Sequence, residues 1–151
     1  MDNLKAFIKK LESKIAKQTT VKQLVSEGSV GWHIEHSLLV INQIIKALKT
    51  SDADVYKWKF NLTRTIILTT GRFPRGRVKA PKSVTPAGDF NAETLQSNVQ
   101  KTLENIENLN DLESNKNFNH PMFGNLNKAQ AIKFLSLHTN HHLLIINDIL
   151  K

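Results

Sequence analysis

The chain has 151 residues, enough for one domain with a sizeable core. It has no cysteine, which excludes a disulfide framework and any thiolate metal site, so a metal would be held by nitrogen and oxygen and a reacting thiol would come from outside. The formal charge of +8 raises the question of anionic partners, but five of the 21 basic residues fall between Arg72 and Lys82, which makes the excess partly a property of one loop.

Met1-Asp2-Asn3-Leu4-Lys5 lacks the apolar run of a signal peptide, and no apolar stretch is long enough to span a bilayer. A cytoplasmic protein without a membrane partner is expected. Leu4, Phe7, Ile8, Leu11 and Ile15 recur at helical spacing and predict a first amphipathic helix from about Asp2 to Lys17. Thr19 and Thr20 break it or cap a short additional helix through Leu24. Gly28-Ser29 marks a boundary, with Ser29 as N-cap of a second helix running to about Lys49. That helix is apolar over most of its circumference, as a central helix packed on two sides would be.

Ser51-Asp52-Ala53-Asp54 reads as a helix start, and Val55, Trp58, Leu62, Ile66 and Ile67 predict a third helix to about Thr70, ended by Gly71. Residues 72–90 hold three of the four prolines and form a long Pro/Arg-rich loop. Asn91 to Thr94 start a fourth helix, carried by Leu95, Val99, Leu103 and Ile106. Residues 110–125 are polar and loop-like, ending in His120-Pro121-Met122-Phe123-Gly124, and Asn127 caps a last helix to the terminus. There is no internal repeat and no dividing linker. The expected fold is all-α, an antiparallel helical bundle of one domain, 1–151.

The last helix carries the densest chemistry. His138 and His142 are one turn apart on the face that also bears Ala131, Leu135, Ile145 and Ile149, so both imidazoles enter the core-facing stripe. An inward imidazole needs a partner for each nitrogen. Two at this spacing can chelate a cation if a third ligand arrives from another helix, and the second helix offers His33 and His36, between which periodicity does not decide. An all-nitrogen site with open positions suits Zn, Ni, Fe or Mn as the divalent ion. The competing explanation is a set of structural histidines bonded to carbonyls and hydroxyls.

Ser29-Val30-Gly31-Trp32-His33-Ile34-Glu35-His36 resembles the segment of DinB-like proteins in which a Ser begins the second helix and a His follows seven positions later. His138-Thr139-Asn140-His141-His142 is similar to the C-terminal H-x3-H of that superfamily. Gly71-Arg72-Phe73-Pro74-Arg75-Gly76-Arg77 and His120-Pro121-Met122-Phe123-Gly124, with Leu126 after it, resemble a branch known only as a domain of unknown function. From about residue 20 to the end, the resemblance implies the DinB/YfiT-like four-helix bundle with a three-histidine metal site. By matched position its ligands are His36, His138 and His142, with His33 and His141 as neighbours, either supporting the ligands or replacing one. It further implies activation of water or a low-molecular-weight thiol, in a hydrolase or thiol transferase. Many members carry Gln three residues after the last ligand, where this chain has Ile145.

Arg72, Arg75 and Arg77, with Lys79 and Lys82, form either an anion clamp for a carboxylate- or phosphate-bearing substrate or a solvated loop. Nucleic acid is not the expected partner, since the loop has one aromatic, Phe73, and no basic–aromatic alternation. His120 either enters the site as an acid/base or supporting group or docks the His-Pro turn on the last helix. Trp32 and Trp58 are expected as core anchors first and pocket walls second, and Glu35 turns to the polar strip. Three functions remain: a metal-dependent enzyme acting on a small molecule, anionic or a thiol; a non-catalytic bundle that serves in interaction or stress, as a homodimer formed through one face; and, least expected, nucleic-acid binding through the Arg72–Lys82 loop.

Overall fold

The computed structural model describes residues 1–74, 81–88 and 91–151. The apolar spacing at the N-terminus makes α1 (Asp2–Glu12), which buries Leu4, Ile8 and Leu11. A single 3-10 turn, Ile15–Lys17, extends it and buries Ile15. The short additional helix expected through Leu24 is absent: Lys22 and Ser26 instead form an isolated antiparallel bridge. That bend brings the Ser26 hydroxyl back toward the start of the next helix, where it meets the His33 ring.

Ser29 is extended, and its side chain accepts from the Trp32 amide, which starts α2 (Val30–Thr50). Twelve of the 21 residues of α2 are buried, so this helix has to be covered on more than one side. The third predicted helix is shorter than its apolar spacing suggests. Asn61 caps α3 (Leu62–Thr70), and residues 51–61 run as turns and irregular backbone. Val55, Trp58, Leu62 and Ile66 are all half or more exposed; only Ile67 of that set is buried. Backbone bonds other than a helical ladder claim the segment. Ser51 accepts from the Asn117 amide at 2.9 Å, and its carbonyl from Lys116 at 2.6 Å, which ties the stretch to a distant hairpin. Gly71 ends α3 at φ 68°, a left-handed conformation suited to glycine.

Asn91 and Thr94 form a reciprocal capping box at the start of α4 (Ala92–Glu107). The polar stretch expected as loop contains a hairpin, β1 (Asn117–His120) with β2 (Gly124–Asn127), in the register Phe118↔Leu126 and His120↔Gly124. Asn127 then caps α5 (Lys128–Ile149), with Gln130 completing a second capping box. The molecule is mostly helical, with five α-helices and this one two-stranded sheet among the described residues. No described helix is long and apolar enough to cross a membrane.

α2 packs on α4 and α5, and α1 covers the other sides of α4 and α5. Ile34, Ile41, Leu48, Leu95, Ile106 and Leu135 meet in a continuous core, each burying a side chain that stabilises by roughly 1.5–3 kcal/mol. α3 and the hairpin close the side of α2 and α5 away from α1. Arg64 of α3 holds them together: its buried guanidinium donates to the carbonyls of Phe123 (3.3 Å), Asn125 (3.1 Å) and Lys59, with Trp58 lying 5.7 Å away on its face. Trp58 therefore anchors a cation from the surface and is not a core residue. Between this lid and the α2–α5 pair lies the site.

Candidate metal centre

On α2, His33 and His36 are three residues apart and both are buried. On α5, His138 and His142 are one turn apart. The packing of α2 on α5 brings the rings together: centroids of His36 and His142 are 4.7 Å apart, His138 and His142 4.6 Å, and His36 and His138 5.2 Å. One ligand atom from each of these three residues lies within 4.8 Å of the other two, so they could hold a metal ion. The Nε2 atoms of His138 and His142 are 3.3 Å apart. A tetrahedral ion with bonds of about 2.0–2.1 Å sets its nitrogens about 3.3–3.4 Å apart, so this edge of the triangle already has the span a shared ion requires.

All but one of the remaining ring nitrogens of these residues and His33 have partners. Nδ1 of His36 is 2.8 Å from the Val84 carbonyl, a bond that fixes Nδ1 as the donor and leaves Nε2 with the lone pair. Val84 comes from a 3-10 turn, Lys82–Val84, in the stretch expected as loop. Nδ1 of His142 is 2.9 Å from Nδ1 of His33, and Nε2 of His33 is 3.0 Å from the Ser26 hydroxyl. Nδ1 of His138 is buried without a hydrogen-bond partner among the described residues. With an ion on Nε2, this Nδ1 would carry the ring's proton. The donor set thus fits a divalent ion of the nitrogen-binding kind.

The electrostatics favour the neutral ligand form. Burial lowers His138 to about 3, and neighbouring His36, His141 and His120 push it the same way. Burial takes His142 well below the ordinary value, helped by His138 and His36, and holds His33 at about 4, with His36 and His141 adding to it. His36 is also lowered by burial, in part offset by the Val84 carbonyl, which favours the charged ring.

Beside the three rings lies a cavity of about 620 Å³, a common size for a small-molecule site. Trp32, stacked on His36 at 5.0 Å, forms one wall; Phe73, Phe134 and Ile67 form others. Phe73, read from the sequence as the lone aromatic of a basic loop and as part of the Gly71–Arg77 motif, has its ring 6.2 Å from that of His138 and 5.7 Å from that of His141. His141 is half-buried and lines the cavity with its ring 5.3 Å from that of His142. His120 lines it too, from the end of β1. Ile145, one turn beyond His142, is buried in the core. Glu35 accepts from Asn98 of α4 at 3.1 and 3.2 Å and takes no part in the site. Arg72 and Lys82 are exposed, while Arg75, Arg77 and Lys79 lie outside the described residues.

Two members of this constellation carried no signal in the sequence that would have found them. The Val84 carbonyl and the Ser26 hydroxyl reach the rings from turns whose path periodicity does not specify.

A family model described as a protein of unknown function (DUF1569) matches residues 55–148. The match takes in His120, His138 and His142 and leaves out the α2 histidines. None of the curated proteins and none of the solved structures compared with the chain matches it. The matched span is well over half the sequence, and the chain belongs to the DUF1569 family of proteins of unknown function.

Proposed function

We propose that this protein is a divalent-metal-dependent enzyme of the DinB-like kind, with His36, His138 and His142 as ligands. The observation that carries the proposal is the convergence of three buried or half-buried imidazoles, on two helices, to within 4.8 Å beside a cavity. In this reading the packing of α1, α2, α4 and α5 corresponds to the four-helix bundle of that superfamily. When bound, a divalent ion on three neutral imidazoles retains open positions and supplies Lewis acidity that makes a water or thiol a nucleophile near neutral pH. Zn, Ni, Fe and Mn all suit the donors. With no cysteine in the chain, a thiol would enter as a substrate.

The chain's own residues prepare the site. For Nε2 of His142 to keep its lone pair, its Nδ1–H donates to Nδ1 of His33; His33 then carries its proton on Nε2 and donates it to Ser26. Val84 does the same for His36. Burial holds all these rings neutral, so no proton has to leave before they can ligate. Trp32, Phe73 and Phe134 exclude water from the reacting side and present an apolar surface to the substrate.

One observation favours a non-catalytic reading. The contacts from His33 to His142 and from His142 to His138 satisfy much of the cluster without an ion. Metal analysis of untagged protein separates the two. The enzymatic reading expects about one equivalent of divalent metal per chain, lost in His138→Ala and His142→Ala. Metal-free protein that takes up no zinc, nickel, iron or manganese and melts identically with chelator present would contradict it.

A further inference from the structure

His120 stands apart from the three proposed ligands, yet it lines the same cavity. Its ring is held by the hairpin that carries it. Nδ1 accepts from the backbone amides of Met122 at 3.1 Å and Phe123 at 3.3 Å, which places the turn's two donors on one nitrogen. A nitrogen that accepts twice from amides carries no proton, so the proton of the neutral ring is on Nε2. The ring plane is set by Phe123, stacked at 4.4 Å and 12°, and by Phe134, edge-on at 4.8 Å. Arg64 and Asn61 hold the turn itself, through the carbonyls of Phe123 and Met122. Nε2 has no hydrogen-bond partner among the described residues. Burial lowers the ring to about 4, in keeping with a neutral imidazole. What the cavity receives from His120 is therefore one fixed hydrogen-bond donor without a charge. The described residues around it are mainly aromatic and aliphatic side chains and prolines, with Gln43, Thr63, Ser83 and the other histidines as the polar ones and no carboxylate, lysine or arginine among them.

We infer that the cavity takes an uncharged, largely apolar small molecule bearing one hydrogen-bond acceptor of the carbonyl type, and that Nε2–H of His120 binds that acceptor. This deepens the proposed function by naming its substrate class, and rests on that reading only for the reaction at the neighbouring histidines. His120 is a substrate-binding residue in this account, and the polarity it imposes on the carbonyl is available without any proton transfer. A cationic imidazole would have to break both turn bonds to form.

The test uses the full chain stripped of metal with chelator, so that only the cavity is interrogated, and three probes of similar shape. Benzophenone carries the acceptor, 1,1-diphenylethylene replaces it with a methylene, and 4-benzoylbenzoate adds a negative charge. Calorimetry is expected to show benzophenone binding about five-fold more tightly than the hydrocarbon, the size of one hydrogen bond. His120→Asn keeps an acceptor for the two turn amides and, being shorter than the imidazole, withdraws the donor from the position of Nε2. It should erase that preference, read as the ratio of the two neutral probes' affinities within each protein, whatever loss of the ring does to both. Ring ¹⁵N shifts of His120 in the unaltered protein give an independent reading and should show the Nε2–H form at neutral pH. Equal binding of the two neutral probes, no binding of either, a preference that survives in His120→Asn, tighter binding of the benzoate, or an Nδ1–H ring would each overturn the inference. Metal uptake measured separately on the same samples reports on the three-histidine proposal, so the two can fail independently.

Discussion

Replacing His33 with leucine tests how the proposed ligands are held. The volumes are similar, and the site is only 3% exposed, so packing is largely kept while two hydrogen bonds are lost: the one from Nε2 to the Ser26 hydroxyl, and the 2.9 Å approach of His33 Nδ1 to His142 Nδ1. In the proposed state that contact is an acceptor for the His142 proton. Without it the His142 ring is free to flip its tautomer or rotate, and a buried N–H is left unpaired at a cost of about 1–3 kcal/mol. The loss of an orienting partner of this kind weakens metal affinity about 10–100-fold, or roughly 1.4–2.7 kcal/mol. The stability of the metal-free protein should change less, because leucine removes the cost of burying an imidazole at the same position. The assay is competition for zinc with a chromophoric chelator, beside urea melts of the metal-free forms. Affinity within two-fold of the unaltered protein would refute the orienting role. Abolition of binding, equal to that in His142→Ala, would instead make His33 a ligand in its own right.

Acidification should destabilise the fold in a defined window. His33 and His120 titrate near 4 and His138 near 3 when folded, against 6.5 when unfolded, so the unfolded chain binds more protons in between. Stability is then full above pH 6.5 and falls as pH drops toward 4, each ring adding up to about 1.4 kcal/mol per pH unit. Urea midpoints that stay level from pH 8 to pH 5 would contradict this. Arg64→Met leaves the carbonyls of Phe123, Asn125 and Lys59 without their donor and should cost about 2–4 kcal/mol in urea unfolding, with the hairpin amides losing protection from hydrogen exchange first. Gly71→Ala forces a side chain into φ 68° with its Cβ 3.3 Å from Leu137, and should lower the melting temperature by roughly 3–8 °C.

How far the sequence could be read depended on what each residue's partners were. α1, α2, α4 and α5 were legible because their apolar residues face one another at helical spacing, and Ser29, Asn91 and Asn127 mark their starts with caps. The stretch from Ser51 to Asn61 has helical spacing as well, but its backbone and Ser51 side chain are committed to residues 116 and 117, a pairing no local pattern announces. The hairpin at 117–127 was hidden for a related reason: its strands are four residues each and polar, and it is fixed from outside by Arg64. At the site, the H-x3-H spacing on α5 identified two rings. Choosing between His33 and His36 needed the rotation of α2 against α5, since that helix is apolar all round. The structure groups His36 with the α5 pair and sets His33 behind His142.

X-ray absorption by zinc-loaded, untagged protein would test the central claim most directly. With His36, His138 and His142 converged as they are here, the spectrum should require three imidazoles at about 2.0 Å, with the rest of the shell supplied by oxygen, and His36→Ala should remove one of them. A shell with fewer than two imidazoles, or one that His36→Ala leaves unchanged, would contradict the account.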